Sequence, residues 1–340
     1  MPIKRANAFP VATTTTTTTT TVIVAIAGLL VLLALAPLRL SDYGLSFLVN
    51  LISAIVLATA WRMFAGPTRY VSLAVAAFFG IGAYTVALVQ DILPLYAAFA
   101  LAGLAGMLVA LLVGLTTLRV SGVHFVIFTF GLGELIREVT IWWEINQTRT
   151  VGRYVLVDFD TPLIYWSLLA LMVLVFATGH WLERSRPGFA LRVIGEDEAV
   201  ADQVGIDRAA VKVAVFVLSA FFLTMVGALM APRWSYINPN TVFGATISFQ
   251  VVIMALLGGM QRLWGPLLGV VPMTVLSEIL STNYPRAYSV ILGAVFLISV
   301  YVLPDGIAGL IERGWARARR RRDGAAPGDR HGQPATLGEG

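Results

Sequence analysis

Apolar residues fill this chain in long blocks separated by short polar breaks. The blocks lie at 22–40, 45–64, 71–90, 92–117, 122–143, 162–182, 211–231, 245–261, 264–281 and 287–304. Each is close to the roughly 20 residues a helix needs to cross a hydrocarbon core of about 30 Å. Barrel strands would instead give short segments of alternating polarity. The pattern therefore predicts an all-α fold, a polytopic transmembrane helical bundle of about eight to ten spans. Glycine, proline or charge interrupts the fifth, eighth and ninth blocks. Such spans can be broken or re-entrant where protein or an aqueous cavity surrounds the freed backbone.

The blocks divide the chain into three parts. Residues 1–21, with an unbroken threonine run from Thr13 to Thr21, form an expected disordered cytoplasmic lead. Lys4, Arg5, the apolar 22–35 and Ala34-Leu-Ala36 resemble a signal peptide, but Pro37 directly follows the would-be cleavage site. Residues 22–40 are accordingly expected to remain as the first span. Residues 22–304 are the transmembrane domain, and 305–340 a basic, mostly disordered cytoplasmic tail.

Charge orients this map. With ten spans and a cytoplasmic start, eighteen Lys and Arg residues fall on inner segments and five on outer ones. That bias predicts cytoplasmic termini and a cytoplasmic 183–210 connection. The net charge of +5 comes largely from arginines after the last block, Arg313 to Arg322. Clustered there, they read as a topology anchor beside lipid and not as a nucleic-acid surface.

Composition narrows the chemistry. Hydrophobic residues make up 58% of the chain and charged residues 13%, against about 45–50% and about 25% in soluble domains. There is no cysteine, which excludes disulfides, thiolate catalysis and Cys-ligated metals. His124, His180 and His331 are scattered; His124 is expected to be a buried, hydrogen-bonded side chain. No Gly-x-x-x-x-Gly-Lys-Ser/Thr phosphate loop and no Gly-x-Ser-x-Gly elbow occur. No cofactor is expected on this chain, so ATP-driven work needs a separate subunit.

The most informative segment is polar. Between the spans at 162–182 and 211–231, the 183–210 connection carries Arg192, then Glu196, Asp197 and Glu198, expected in the first turn of a helix where negative charge complements the dipole. Val193, Val200 and Val204 give one apolar stripe. Gly205 follows as a natural stop, and Asp207 can cap the next helix. The pattern is helix, glycine, helix across the membrane face. Spacing alone suits a docking surface and an amphipathic segment on lipid headgroups equally well.

Other candidates lie within spans. Glu134 and Arg137, three apart, can pair on one helix; they either line a solute path or neutralise one another. Glu138, Glu144 and Glu278 are expected near the outer boundary. Gly258 and Gly259 are candidates for the path, with close helix packing as the plainer role. Trp142, Trp143, Trp181, Tyr284 and Tyr288 fit an interfacial aromatic belt.

Arg192-Val-Ile-Gly-Glu-Asp-Glu-Ala-Val-Ala-Asp-Gln-Val-Gly-Ile206 closely resembles the cytoplasmic coupling loop of the branched-chain amino-acid ABC importer permeases, and more narrowly the M-type subunit of the LIV system. Collinear matches are Ala76-Ala-Phe-Phe-Gly-Ile-Gly-Ala-Tyr84, Leu118-Arg-Val-Ser-Gly-Val-His-Phe125, Phe130-Gly-Leu-Gly-Glu-Leu-Ile-Arg137, Leu257-Gly-Gly-Met-Gln-Arg-Leu-Trp-Gly-Pro266 and Leu303-Pro-Asp-Gly306. The resemblance spans roughly 45–310. It implies a bacterial inner-membrane permease working with a sister permease, two ATP-binding cassette subunits and an external solute-binding protein. It assigns coupling to Arg192, Glu196, Asp197, Glu198, Val200, Val204 and Gly205. The chain departs from the family at Ala65–Ala74, at Asn146–Arg153, at Gln261-Arg262, and at Gly195, where arginine is frequent. Because those substrate-facing loops differ, urea, short amides and aromatic carboxylates stand beside branched-chain amino acids as solutes. The alternative is a self-contained secondary transporter, which needs ion-coupling acids at mid-membrane; Glu134 is the one deep acid the sequence offers.

Overall fold

The computed structural model describes residues 28–118, 122–156, 160–284, 286–287, 290–291, 293–295 and 306–310. The lead with its threonine run, most of the last apolar block and nearly all of the basic tail lie outside the described residues.

Helix α1, Asp42–Thr68, starts at a Ser41 cap whose hydroxyl accepts from the Gly44 amide. It runs through the centre of the bundle with Val49, Trp61 and Phe64 buried. Helix α2, Val75–Val89, α3, Leu95–Thr117, and α4, Val123–Thr148, follow. A two-residue strand β1, Arg153–Tyr154, leads into α5, Thr161–Arg184. Two short helices, α6, Arg186–Glu196, and α7, Glu198–Gln203, form the connection to α8, Arg208–Met230. After β2, Tyr236–Ile237, come α9, Pro239–Val242, α10, Ala245–Gly258, and α11, Gly265–Asn283.

Among the described residues, six helical stretches are long and apolar enough to cross a membrane. This is fewer than the ten blocks of the sequence, for identifiable reasons. The second and third blocks were separated by only a short break, but residues 69–74 are not helical and leave α2 with 15 residues. The fifth block becomes a 26-residue helix whose Glu134, Arg137, Glu138 and Glu144 lower its hydropathy. The first and last blocks extend beyond the described residues, whereas the eighth, broken at Gly244 between α9 and α10, still counts among the six.

Bare backbone contact holds the centre together. A Cβ at Gly82 would overlap the Thr224 carbonyl, and one at Gly227 the Phe79 carbonyl, so α2 and α8 touch main chain to main chain. Small residues permit this approach where lipid gives helices no hydrophobic drive to associate. Phe64, Phe78 and Phe125 set their rings around Phe216 edge to face, forming an aromatic cluster beside it. By contrast α3 leaves Leu104, Leu108, Leu112 and Leu115 exposed along one face, as a lipid-facing helix does.

Two sequence expectations are corrected. His124 is exposed at the start of α4, because α4 turns Phe125 into the aromatic cluster and its neighbour out. Glu144 is fully buried in protein: it accepts from the Gly152 amide at 2.6 Å and from the Tyr84 hydroxyl, and pairs with Arg153 at 3.3 Å. The second correction concerns Glu196 and Glu198. They do not share a first turn, since the helix breaks at Asp197, which has extended backbone (φ −155°, ψ 116°).

Candidate functional site

The α6–α7 connection is built by local capping. The Ser185 hydroxyl donates to the Leu182 carbonyl and accepts from the Gly188 amide, turning the chain sharply from α5 into α6. Gly188, Ala190, Leu191 and Ile194 make the buried face of α6. A Cβ at Gly195 would overlap the Pro67 carbonyl at the end of α1. A side chain has no room there, and the glycine lets α6 lie directly on the α1 backbone.

Asp197 ends α6 and caps α7 with one residue, its carboxylate accepting from the Ala199 amide at 2.8 Å. At the far end of α7, the Ile206 amide donates to the Ala201 carbonyl and the Gly205 amide to the Asp202 carbonyl, both at 3.0 Å. This paired bonding is a Schellman stop. It requires the left-handed conformation at Gly205, where φ is +79°. Asp207 then caps α8 through the Ala210 amide at 3.0 Å.

Side chains lock this elbow to the bundle. Glu198 accepts from Lys212 Nζ and the Tyr70 hydroxyl, both at 2.5 Å, and from Arg208 at 2.7 Å. The Lys212 ammonium also lies 4.2 Å from the Tyr70 ring centroid, and Arg208 reaches Asp202 at 2.6 Å. Partial burial pushes the Glu198 carboxyl up. The hydrogen bonds from Lys212 and Tyr70 and the charges of Lys212 and Arg208 outweigh it and hold the group below its ordinary value. Glu198 thus faces inward and fastens α7 to α8.

Arg62 provides a second fastening. Buried near the end of α1, it donates to the Met260 and Gln261 carbonyls at 2.9 Å each and to Glu183 at 2.7 Å. One guanidinium so joins α1, α5 and the α10–α11 turn. Beside it opens a cavity of about 580 Å³ whose walls include Arg69, Arg192 and Glu196. Arg192 leans across, donating to the Glu183 carbonyl at 3.1 Å.

What remains outward is mixed. Phe189 is 60% exposed, Val200 45% and Val204 68%, and exposed Arg192, Glu196 and Asp197 lie among them. An apolar patch rimmed by charge is the signature of an interaction surface. Arg62, Lys212, Tyr70 and Phe189 were missed as functional positions in the sequence. Phe189, one helical turn before Val193, was the one detectable from spacing.

The proposed path residues are not brought together with the elbow. Glu134 and Arg137 pair on α4 at 2.7 Å, and Arg137 also reaches Glu138 at 2.9 Å. Gly258 lies against α11, where a Cβ would overlap the Gly265 carbonyl, and Gly259 turns the chain with φ +106°. Among the described residues, no group of three or more His, Cys, Asp or Glu side chains could hold a metal.

The family model described as "Branched-chain amino acid transport system / permease component" matches residues 43–300. The chain is 25% identical over 315 residues to the high-affinity branched-chain amino acid transport system permease protein LivM of Salmonella typhimurium, covering 83% of this chain and 74% of that protein. With LivM of Escherichia coli it shares 24% identity over the same shares of both chains. It is also 29% identical over 150 residues to the LivH permease of Salmonella typhimurium, covering 43% of this chain and 46% of that protein.

Proposed function

Because the chain belongs to the family of branched-chain amino acid transport system permease components, and is thereby a multi-pass inner-membrane permease subunit of an ABC importer, we propose that the α6–α7 elbow is its coupling site. In this reading the elbow faces the cytoplasm and receives motion from two ATP-binding cassette subunits. A sister permease completes the pathway, and an external binding protein delivers the solute. The solute is a branched-chain amino acid or a related small polar molecule such as urea, an amide or an aromatic carboxylate. Hydrolysis of ATP belongs to the cassette subunits; this chain supplies the lever and half of the channel.

The observation carrying this reading is the double fastening of an exposed elbow. Phe189, Val200 and Val204 face outward, while Glu198–Lys212 and Gly195 against Pro67 join the same segment to α8 and α1. A push on the outer face reaches two central helices without passing through a flexible joint. Interfaces and packed cores tend to switch between discrete arrangements instead of deforming continuously. Closure of the cassettes would therefore tilt α1 and α8 together and open the bundle to alternate sides.

The cysteine-free sequence makes the test direct. Val200→Cys in the complete transporter should crosslink to a cysteine on the cassette subunit, with a yield that changes on ATP binding. Labelling of that thiol by an impermeant reagent from outside intact cells, or no crosslink at any stage of turnover, would overturn the assignment.

A further inference from the structure

The cavity of about 580 Å³ beside Arg62 carries more positive than negative charge on its walls. Arg62 and Glu183 neutralise one another at 2.7 Å. That leaves Arg69 and Arg192 against Glu196, so the lining is one negative charge short of balance. The Arg69 guanidinium has no hydrogen-bond or ion-pair partner among the described residues, and Arg192 spends one N–H on the Glu183 carbonyl. Arg62, only 5% exposed, uses Nε, Nη1 and Nη2 once each. A second N–H therefore remains on each of its terminal nitrogens.

Arg69 also stands where glycine is usual. It ends α1 in the left-handed conformation, at φ +59° and ψ 17°, which costs any residue with a side chain. Glycine would stop the helix without that cost. Strained positions of this kind recur at ligand clamps. A strained arginine, unpaired on the wall of a cationic cavity, points to an anion that binds there.

The depth of the cavity narrows the anion. Its α5 wall is Gly179, Leu182 and Glu183, and Trp181 among them is 61% exposed. Its α10–α11 wall is Met260 and Gln261, and Trp264 in the same turn is 41% exposed. Outward tryptophans sit at the level of lipid headgroups. Arg184, Arg186 and Arg262 are exposed on the adjoining helix ends. Basic pockets between transmembrane helices on the cytoplasmic side suit phosphate-bearing headgroups. Met63, Leu182 and Met260 add apolar surface that the glycerol and first acyl carbons of a lipid can cover.

We infer that this cavity binds a singly charged phosphodiester, the headgroup of an anionic phospholipid such as phosphatidylglycerol. Arg69 and Arg192 take the phosphate oxygens, since guanidinium forks match phosphate geometry, and the spare N–H groups of Arg62 back them. The phosphodiester supplies the missing negative charge, whereas a zwitterionic headgroup leaves it uncompensated. Glu196, the acid left over on the wall, accepts from the glycerol hydroxyls of the headgroup. The bound lipid joins α6 to the end of α1 beside the elbow. Its place in the cytoplasmic leaflet rests on the permease reading above.

The test uses the complete transporter, stripped of lipid in detergent and incubated with dioctanoyl-phosphatidylglycerol, with retained lipid counted by native mass spectrometry. The wild type should bind this lipid saturably, and dioctanoyl-phosphatidylcholine about tenfold more weakly. Arg192→Gln should weaken phosphatidylglycerol binding about tenfold, and Arg192→Lys should recover part of the loss. Arg69→Gly should weaken it about as much while leaving the melting temperature unchanged or raised, because glycine relieves the turn. A purely structural role for Arg69 gives no such split. Arg149, the matching left-handed stop of α4 at φ +57°, is the control: Arg149→Gly should not alter lipid binding. Glycerol 1-phosphate and inorganic phosphate stand for soluble sources and should not displace the lipid at equal concentration; displacement by either overturns the lipid assignment. Binding indifferent to headgroup charge, or to both Arg69→Gly and Arg192→Gln, overturns the site. ATP-driven uptake by the wild type is measured alongside, and its absence for every candidate solute overturns the permease reading instead.

Discussion

Gly205→Val isolates the mechanical role of the elbow. A Cβ at this position meets nothing within 4 Å, so the substitution creates no clash. Its cost is backbone strain alone. Holding a non-glycine residue in a left-handed conformation costs about 1–3 kcal/mol, with a β-branched residue at the upper end. That corresponds to a roughly 5- to 150-fold loss in population of the Schellman turn. The strain is confined to a surface turn, so membrane insertion and the thermal stability of the bundle should be nearly unchanged. In proteoliposomes containing the complete transporter, Gly205→Val should retain ATP turnover while the solute moved per ATP falls severalfold or more. Gly205→Asn provides the internal control, because asparagine tolerates the left-handed region; it should transport close to wild type. Wild-type coupling by the valine variant would refute the reasoning. An asparagine variant as defective as the valine one would show that strain at φ +79° is not the cause.

Two further outcomes follow from the ion pairs. Lys212→Met should destabilise the elbow by about 3 kcal/mol, the low end for breaking a buried pair, since Glu198 stays partly exposed; a Glu198→Gln/Lys212→Met cycle that proves additive would reject the pairing. Because the folded Glu198 carboxyl lies below its ordinary value of 4.5, its stabilising contribution is complete above that value and is lost as pH falls through the lowered one. Hydrogen-exchange protection of residues 198–206 should hold from neutral pH to about pH 4.5 and then decline, and Glu198→Gln should remove that step. Neutralising Glu134 and Arg137 together should reduce transporter assembly less than neutralising either alone, measured as complex yield from membranes; a double variant much worse than both singles would exclude mutual neutralisation.

The sequence made some of this legible and concealed the rest for physical reasons. Hydropathy located α1, α3, α5 and α8 to within a few residues, because a bilayer imposes length and polarity on consecutive residues. Gly205 and Asp207 were readable because a helix stop and a helix cap are local requirements. The partners of Glu198, Tyr70 and Lys212, were not legible because they come from elsewhere in the fold. Asp197 was misassigned because a carboxylate that favours a helix's first turn can equally end one helix by capping the next. The partners of Glu144 were hidden because Arg153 and the Gly152 amide reach it only through the turn that follows α4.

The Arg62 staple has a consequence for how such chains diverge. Two of its three acceptors are main-chain carbonyls, at Met260 and Gln261. A carbonyl survives any side-chain replacement, so this turn can exchange its residues freely while the guanidinium keeps its grip. The unusual Gln261-Arg262 pair is therefore compatible with an intact junction. Mutational sensitivity should concentrate on the arginine and on Glu183, leaving the loop between α10 and α11 open to drift.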